Sequence, residues 1–204
     1  TPERISNPQN PYGMSKIAEE MFALQLGKRY KIPTVAMRYS IVQGSRQSFY
    51  NAYSGACRIF SLAFHQGKEP QIYEDGNQVR DFVNIHDVVD ANLLVLEDER
   101  ADYEMFNVGG GAPVTVNQFA SACAKIYDVK NYQPKPSGKY RFGDTRHIWS
   151  DISKLESLGW KPSRTIYDSI AEYKEWLDCA SSIDNIIEYC SKKMEELNVL
   201  RDVS

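Results

Sequence analysis

The strongest constraint on the fold is a helix run into a strand with no room for a long loop. From residue 11 to about 30, Ile17, Met21 and Leu24, flanked by Ala18 and Phe22, recur at helical spacing, and Pro11 suits a first turn. Pro33 ends that stretch, and Thr34-Val35-Ala36-Met37-Arg38-Tyr39 follows at once as a short β-prone run. A helix and a buried strand joined so tightly predict part of a βαβ unit, and hence an α/β chain. The first turn of this helix also holds Tyr12-Gly13-Met14-Ser15-Lys16. A tyrosine and a lysine four residues apart share a helix face. There an ammonium can favour the phenolate and fit the tyrosine for proton transfer. Spacing alone says little: with 13 tyrosines in the chain, about one such pair is expected by chance. Tyr189 and Lys193 form a second pair, which reads as a solvated helix face.

The rest of the chain alternates helices and short strands. A polar loop is expected over 44–53, then a helix over 56–66 stopped by Gly67. Gln71-Ile72-Tyr73 and the run 80–85 read as two strands around a turn at Asp75-Gly76-Asn77. His86 or Asp87 could cap a helix over 88–97. A strand at 105–108 is closed by Gly109-Gly110-Gly111, Thr115 caps a helix over 116–127, and 165–180 is amphipathic helix. A charged helical tail is expected over 184–200, with Ile186, Ile187, Met194 and Leu197 on one side.

Bulk properties narrow the functional classes. Net charge is −3, so no general basic field invites nucleic acid or an anionic membrane. An anionic ligand must be met by local cations. Four cysteines form no CxxC pair and three histidines lack metal-ligand spacing, which argues against zinc and suits a reducing, cytoplasmic compartment. No apolar run reaches membrane-spanning length. The opening Thr1-Pro2-Glu3-Arg4-Ile5 reads as a loop cut in its middle, the expectation for a fragment of a longer protein.

Six segments in fixed order carry a resemblance. They are Asn10-Pro11-Tyr12-Gly13-Met14-Ser15-Lys16; Met37-Arg38-Tyr39 with Gly44 and Arg46-Gln47; Gly76 through Arg80-Asp81-Phe82-Val83; Phe106-Asn107-Val108-Gly109; Arg141-Phe142-Gly143-Asp144 through Ile148; and Leu158-Gly159-Trp160 with Pro162. This set resembles the C-terminal portion of the extended short-chain dehydrogenase/reductases, closest to the NAD-dependent epimerase/dehydratase family of the UDP-glucose 4-epimerase type. It covers residues 1 to about 178. The family's glycine-rich NAD loop and its catalytic Ser/Thr are not among these residues.

The resemblance implies the C-terminal part of a Rossmann-type doubly wound parallel sheet plus a smaller α/β substrate-binding lobe. Residues 1–70 would belong to the NAD-binding domain and 71–180 mainly to the substrate lobe, with 88–110 returning to the sheet and 181–204 forming the tail. Tyr12 would be the general base and Lys16 its electrostatic partner. Tyr12, Lys16 and Tyr39 would meet NAD. Arg80 and Arg141 would hold the diphosphate of a UDP- or dTDP-hexose, Asp144 its ribose, and Gln71 and Tyr73 its base.

Each residue also has a plainer reading: a surface pair for Tyr12 and Lys16, a salt bridge to Glu74, Asp75 or Asp81 for Arg80, a loop ion pair for Arg141 and Asp144, alternate strand positions for Gln71 and Tyr73. Arg146 and His147 could simply orient their loop. Ser40 and Ile41 stand where the family usually has Phe and Asn, which removes a polar sugar contact. Gly109-Gly110-Gly111 reads as a tight turn rather than a phosphate loop. His65 and His86 read as structural or surface residues. The implied activity is sugar 4-epimerisation, with a homodimer common in the family through the 11–30 helix. A 4,6-dehydratase or decarboxylase shares the same oxidation step. A non-catalytic binding module, with an open sheet edge, is the reading from a different class.

Overall fold

The computed structural model describes residues 10–48, 55–180 and 186–202. The expectations for residues 1–9, for 49–53 of the polar loop and for the start of the tail lie outside them. Helix α1 spans Pro11–Tyr30, with Pro11 in its first turn and the Asn10 side chain accepting the Gly13 N–H. Strand β1, Ala36–Tyr39, follows. Only Leu24 and Gly27 of α1 are buried; Met21 and Phe22, expected on the inner face, are 61% and 68% exposed. The helix is apolar on more than one side. Its inner face meets β1, where Glu20 takes both Nε and Nη2 of Arg38 at 2.6 Å.

The chain then forms β2 (Ile41–Gln43), α2 (Ala56–His65), β3 (Val79–Asn84), α3 (Ile85–Glu97), β4 (Met105–Val108), β5 (Pro113–Thr115) and α4 (Val116–Ile126). The last elements are β6 (Lys139–Arg141), the short α5 (Ser153–Glu156), α6 (Ile166–Asp178), α7 (Ile186–Glu196) and β7 (Leu200–Asp202). β1 runs parallel to β4, β2 runs parallel to β3, and β3 also takes β5 antiparallel. Parallel pairs joined through helices are the α/β arrangement expected from the sequence. Thr115 caps α4 through a full capping box with Gln118, and Thr165 caps α6 through one with Asp168.

Two expectations change. Residues 71–73 do not form a hairpin with β3. β2 and β5 already occupy both edges of β3, so Ile72 instead bridges to Pro136. The turn survives: Asp75 accepts the Asn77 N–H at 3.0 Å. The tail is also more than a charged helix. Beyond α7, Leu200–Asp202 pairs antiparallel with β6. Ile186, Cys190 and Met194, four residues apart, are buried, whereas Leu197 is 49% exposed.

Two apolar cores result. The larger is built by α2, α4, α6 and α7 over β3, with Phe119 between Phe82 and Phe60 at ring distances of 4.3 and 5.9 Å. The smaller gathers α3, Phe106 and Val108 of β4, and Ile152, Leu155 and Trp160. Trp160 is fastened by its Nε1–H to the Asp87 carbonyl at 3.0 Å, which explains the Leu-Gly-Trp motif as a lock on the start of α3. That start is capped by Asn84, whose side chain accepts the His86 N–H, and not by His86 or Asp87. Asp87 faces the other way, accepting the Ser163 hydroxyl and Arg164.

Candidate active site

Tyr12 stands in the first turn of α1 with 71% of its surface exposed, and its hydroxyl has no hydrogen-bond partner among the described residues. Lys16 lies one turn on, its Nζ 5.7 Å from the Tyr12 ring centre. The ammonium is not aimed at the phenol. It binds Glu19 at 2.8 Å, and that bond holds the Lys16 pKa above its ordinary value. Both partners are more than half exposed, so the pair is weak and readily exchanged. Glu19, three residues from Lys16, was legible as a competitor for the lysine from spacing alone.

Tyr39 ends β1 beside Asn92 of α3, to which its hydroxyl donates at 2.8 Å. One residue later, Ser40 turns inward. Its hydroxyl donates to the fully buried carboxyl of Asp81 and meets the Ser150 hydroxyl at 2.7 Å.

A second group of expected residues gathers around the start of β3. The Arg80 side chain is only 11% exposed; its Nη1 donates to the carbonyls of Val79 and Arg146, and its Nη2 meets Asp144 at 3.3 Å. The plainer reading gave Arg80 to Glu74, Asp75 or Asp81. Glu74 and Asp75 instead bind Arg146, and Asp81 turns to Ser40 and Gly110. The bond from Arg146 Nη2, joined by the Asn77 N–H, carries the Asp75 carboxyl down to about 2. Arg146 and His147 thus do orient their loop: His147 Nδ1 accepts the Val79 N–H at 3.3 Å. Arg141 ends β6, and its charge reaches Tyr73, whose hydroxyl pKa burial raises and Arg141 pulls back. Gln71 is exposed at the edge of this region. The structure therefore joins Arg80 to Asp144 and brings the Arg141 charge within electrostatic reach of Tyr73. No bond among the described residues links them to Tyr12 and Lys16.

The glycine run after β4 is packed, not open. A Cβ on Gly110 would stand 1.9 Å from the Phe82 carbonyl oxygen, and one on Gly109 2.2 Å from the Asp81 carboxyl. The Gly110 N–H is already used by Asp81 at 2.8 Å. These glycines serve close backbone approach, as the turn reading expects, and leave no cradle for a phosphate. The groups free to meet a ligand here are an exposed, unbonded phenol and an exchangeable ammonium on one helix face, with Tyr39 closing β1.

A profile of the NAD dependent epimerase/dehydratase family matches residues 1–109, just over half of the 204. The chain belongs to this family. A dTDP-L-rhamnose 4-epimerase of Burkholderia thailandensis is 34% identical over 171 residues, 83% of this chain and 47% of that protein. The crystal structure of UDP-glucose 4-epimerase from Thermotoga maritima with UDP-glucose is 31% identical, with a TM-score of 0.74 over 86% of this chain and 59% of that one. UDP-glucuronic acid 4-epimerase from Bacillus cereus, solved with UDP-glucuronic acid and NAD, is 26% identical with the same TM-score, over 87% and 55% of the two chains. The chain spans about half the length of the curated relatives it matches. Its β1–β4 and β2–β3 pairs accordingly are part of the Rossmann-type fold of those neighbours. No helix among the described residues is long and apolar enough to cross a membrane.

Proposed function

We propose that this chain supplies the proton-transfer and sugar-nucleotide-holding part of an NAD-dependent nucleotide-sugar 4-epimerase acting on a UDP- or dTDP-hexose. The observation that carries this reading is the free phenol of Tyr12 at the start of α1, inside the family-matched region. Tyr12 takes the proton of the C4 hydroxyl as the C4–H bond breaks, and returns it to C4 oxygen after the sugar has turned over. Lys16 exchanges Glu19 for the phenolate and the ribose hydroxyls, and Tyr39 flanks the nicotinamide. NAD, when bound, supplies the reversible hydride acceptor that makes oxidation at C4 possible. At the far end Arg80 and Arg141 meet the diphosphate, where guanidinium–phosphate bonds are strong. Asp144 meets the ribose, and Gln71 and Tyr73 flank the base.

The substrate lobe is read as 71–180, apart from 88–110, which lie with the NAD-binding sheet. The exposed apolar side of α1, with Phe22, Leu26 and Tyr30 a helical turn apart, suits the helical contact of a homodimer. Free cysteines, three of them buried, suit a reducing cytoplasm.

The test is product analysis with the full-length protein on UDP- and dTDP-hexoses. The expected product is the C4 epimer; release of water or carbon dioxide would sink the reading. Tyr12→Phe is expected to cut turnover by about 10²-fold or more, the loss typical of a missing general base, without changing the melting temperature. Unchanged turnover refutes the role of Tyr12.

A further inference from the structure

Asp81 is wholly buried and has no cationic partner among the described residues. Arg80, its neighbour, points the other way, into Asp144 and the Arg146 carbonyl. Asp81 is instead bound by neutral donors from three separate segments. Its Oδ2 accepts the Ser40 hydroxyl at 2.8 Å and the Ser150 N–H at 3.2 Å, and its Oδ1 accepts the Gly110 N–H at 2.8 Å. Because Ser40 has a single hydroxyl hydrogen and gives it to Asp81, Ser150 is the donor in the Ser40–Ser150 contact of 2.7 Å.

These segments meet at one place. Ser40 follows the carboxyl end of β1, and Gly110 follows the carboxyl end of β4, its parallel partner. Ligands of open α/β sheets bind outside the carboxyl ends of the strands. Ser150 ends a strap that begins at Arg146 and runs along β3. The strap is fixed by Arg80 to the Arg146 carbonyl, by the Val79 N–H to His147, and by the Ile148 N–H to the Val79 carbonyl. Beyond Ser150 it reaches β4, where Asn107 donates to the Asp151 carbonyl at 2.9 Å. The strap touches Arg80 at one end and Ser40, the residue after Tyr39, at the other.

We propose that Asp81 is a positioning residue for the nucleotide-sugar: it fixes the 146–150 strap, and through it Arg80, relative to the Tyr39 end of β1. This rests on the function proposed above. Asp81 touches neither sugar nor cofactor. It sets the separation between the residues that hold the diphosphate and those that hold the reacting ring.

The test is Asp81→Asn in the full-length protein. Each carboxyl oxygen accepts a backbone N–H, so an amide of the same shape must oppose one of them whichever way it is turned. The expected result is a rise of about 10-fold in the Kd for UDP, by calorimetry, and in KM for the UDP-hexose, the loss expected for about one hydrogen bond's free energy. Turnover at saturation should stay within about 3-fold, since Tyr12 and Lys16 are untouched. A purely structural role would lower the melting temperature and the active fraction and leave Kd and KM alone; that result overturns the proposal. Should Asp81→Asn not fold, Ser40→Ala with Ser150→Ala removes two neutral hydroxyls and keeps the carboxyl. A rise of about 3-fold or more in the UDP Kd is then expected, and an unchanged Kd overturns the proposal. If the wild-type protein binds UDP but makes no epimer, the epimerase reading fails while the Kd comparison still decides Asp81. If it binds neither UDP nor dTDP, both fail.

Discussion

Replacing Arg80 by Met separates an anion-holding residue from a strut. The side chain is 11% exposed and makes two kinds of bond. The donations of Nη1 to the Val79 and Arg146 carbonyls, at 2.9 and 2.7 Å, are charge-assisted and together contribute about 1.5 kcal/mol net. Its contact with Asp144 at 3.3 Å involves a carboxylate 40% exposed, so at most about 1 kcal/mol is lost there. Methionine keeps much of the apolar stem in place. The stability cost is therefore about 1.5–2.5 kcal/mol. For a chain of 204 residues, an unfolding entropy near 2.1 cal/mol/K per residue turns each kcal/mol into about 2 °C, so melting should fall by roughly 3–6 °C. Binding should suffer independently. A guanidinium–phosphate bond of about 1.5–3 kcal/mol corresponds to a rise of about 10- to 150-fold in the Kd for UDP. The assay is calorimetric titration with UDP beside a thermal melt of the same sample. A variant that melts lower yet binds UDP as the wild type does would show Arg80 to be a strut for the strap, and would refute the diphosphate role.

Gly110→Ala should yield little folded protein, because its Cβ would lie 1.9 Å from the Phe82 carbonyl oxygen, a backbone atom that cannot rotate away; a soluble variant with native melting would contradict this packing. Phe119→Ala removes a fully buried ring from between Phe82 and Phe60, at a cost of about 3–5 kcal/mol, measured as a drop in denaturant midpoint. A loss under about 1 kcal/mol would show that the larger core is loosely packed there. Glu172 links the loop after β2 to β3. Burial pushes its carboxyl pKa up, but the Ser45 N–H, Asn84, the Ser45 hydroxyl and nearby His86 outweigh that and hold it below the usual range. Its stabilising contribution is thus full above the ordinary glutamate pKa and lost as pH falls through the lower folded value. Glu172→Gln should flatten the acid limb of a stability–pH profile, and an unaltered slope would disprove the coupling.

The candidate site was legible residue by residue. Tyr12, Lys16, Arg80, Arg141 and Asp144 stood out because charge and phenol chemistry belong to single side chains in ordered motifs. Their partners were not legible. Nothing in a sequence tells Asp144 from Glu74 or Asp75 as the carboxylate that reaches Arg80, since all three lie within a few residues of a turn. The Asp81 knot joins positions 40, 81, 110 and 150; Ser40, Asp81 and Gly110 each drew notice, but nothing in the sequence shows that they meet.

By itself the sequence determined the local elements: the start of α1 at Asn10-Pro11, the capping boxes at Thr115 and Thr165, the strands at 36–39 and 105–108, and the order of motifs that marks the family. These depend on neighbours within a turn or two, where spacing and capping act directly. Only the tertiary structure decided which strands pair. β3 has two edges, and β2 and β5 took them, so residues 71–73 turned to 136 and the chain's end found β6. Such choices rest on competition for backbone hydrogen bonds among distant segments, a term that no local window contains.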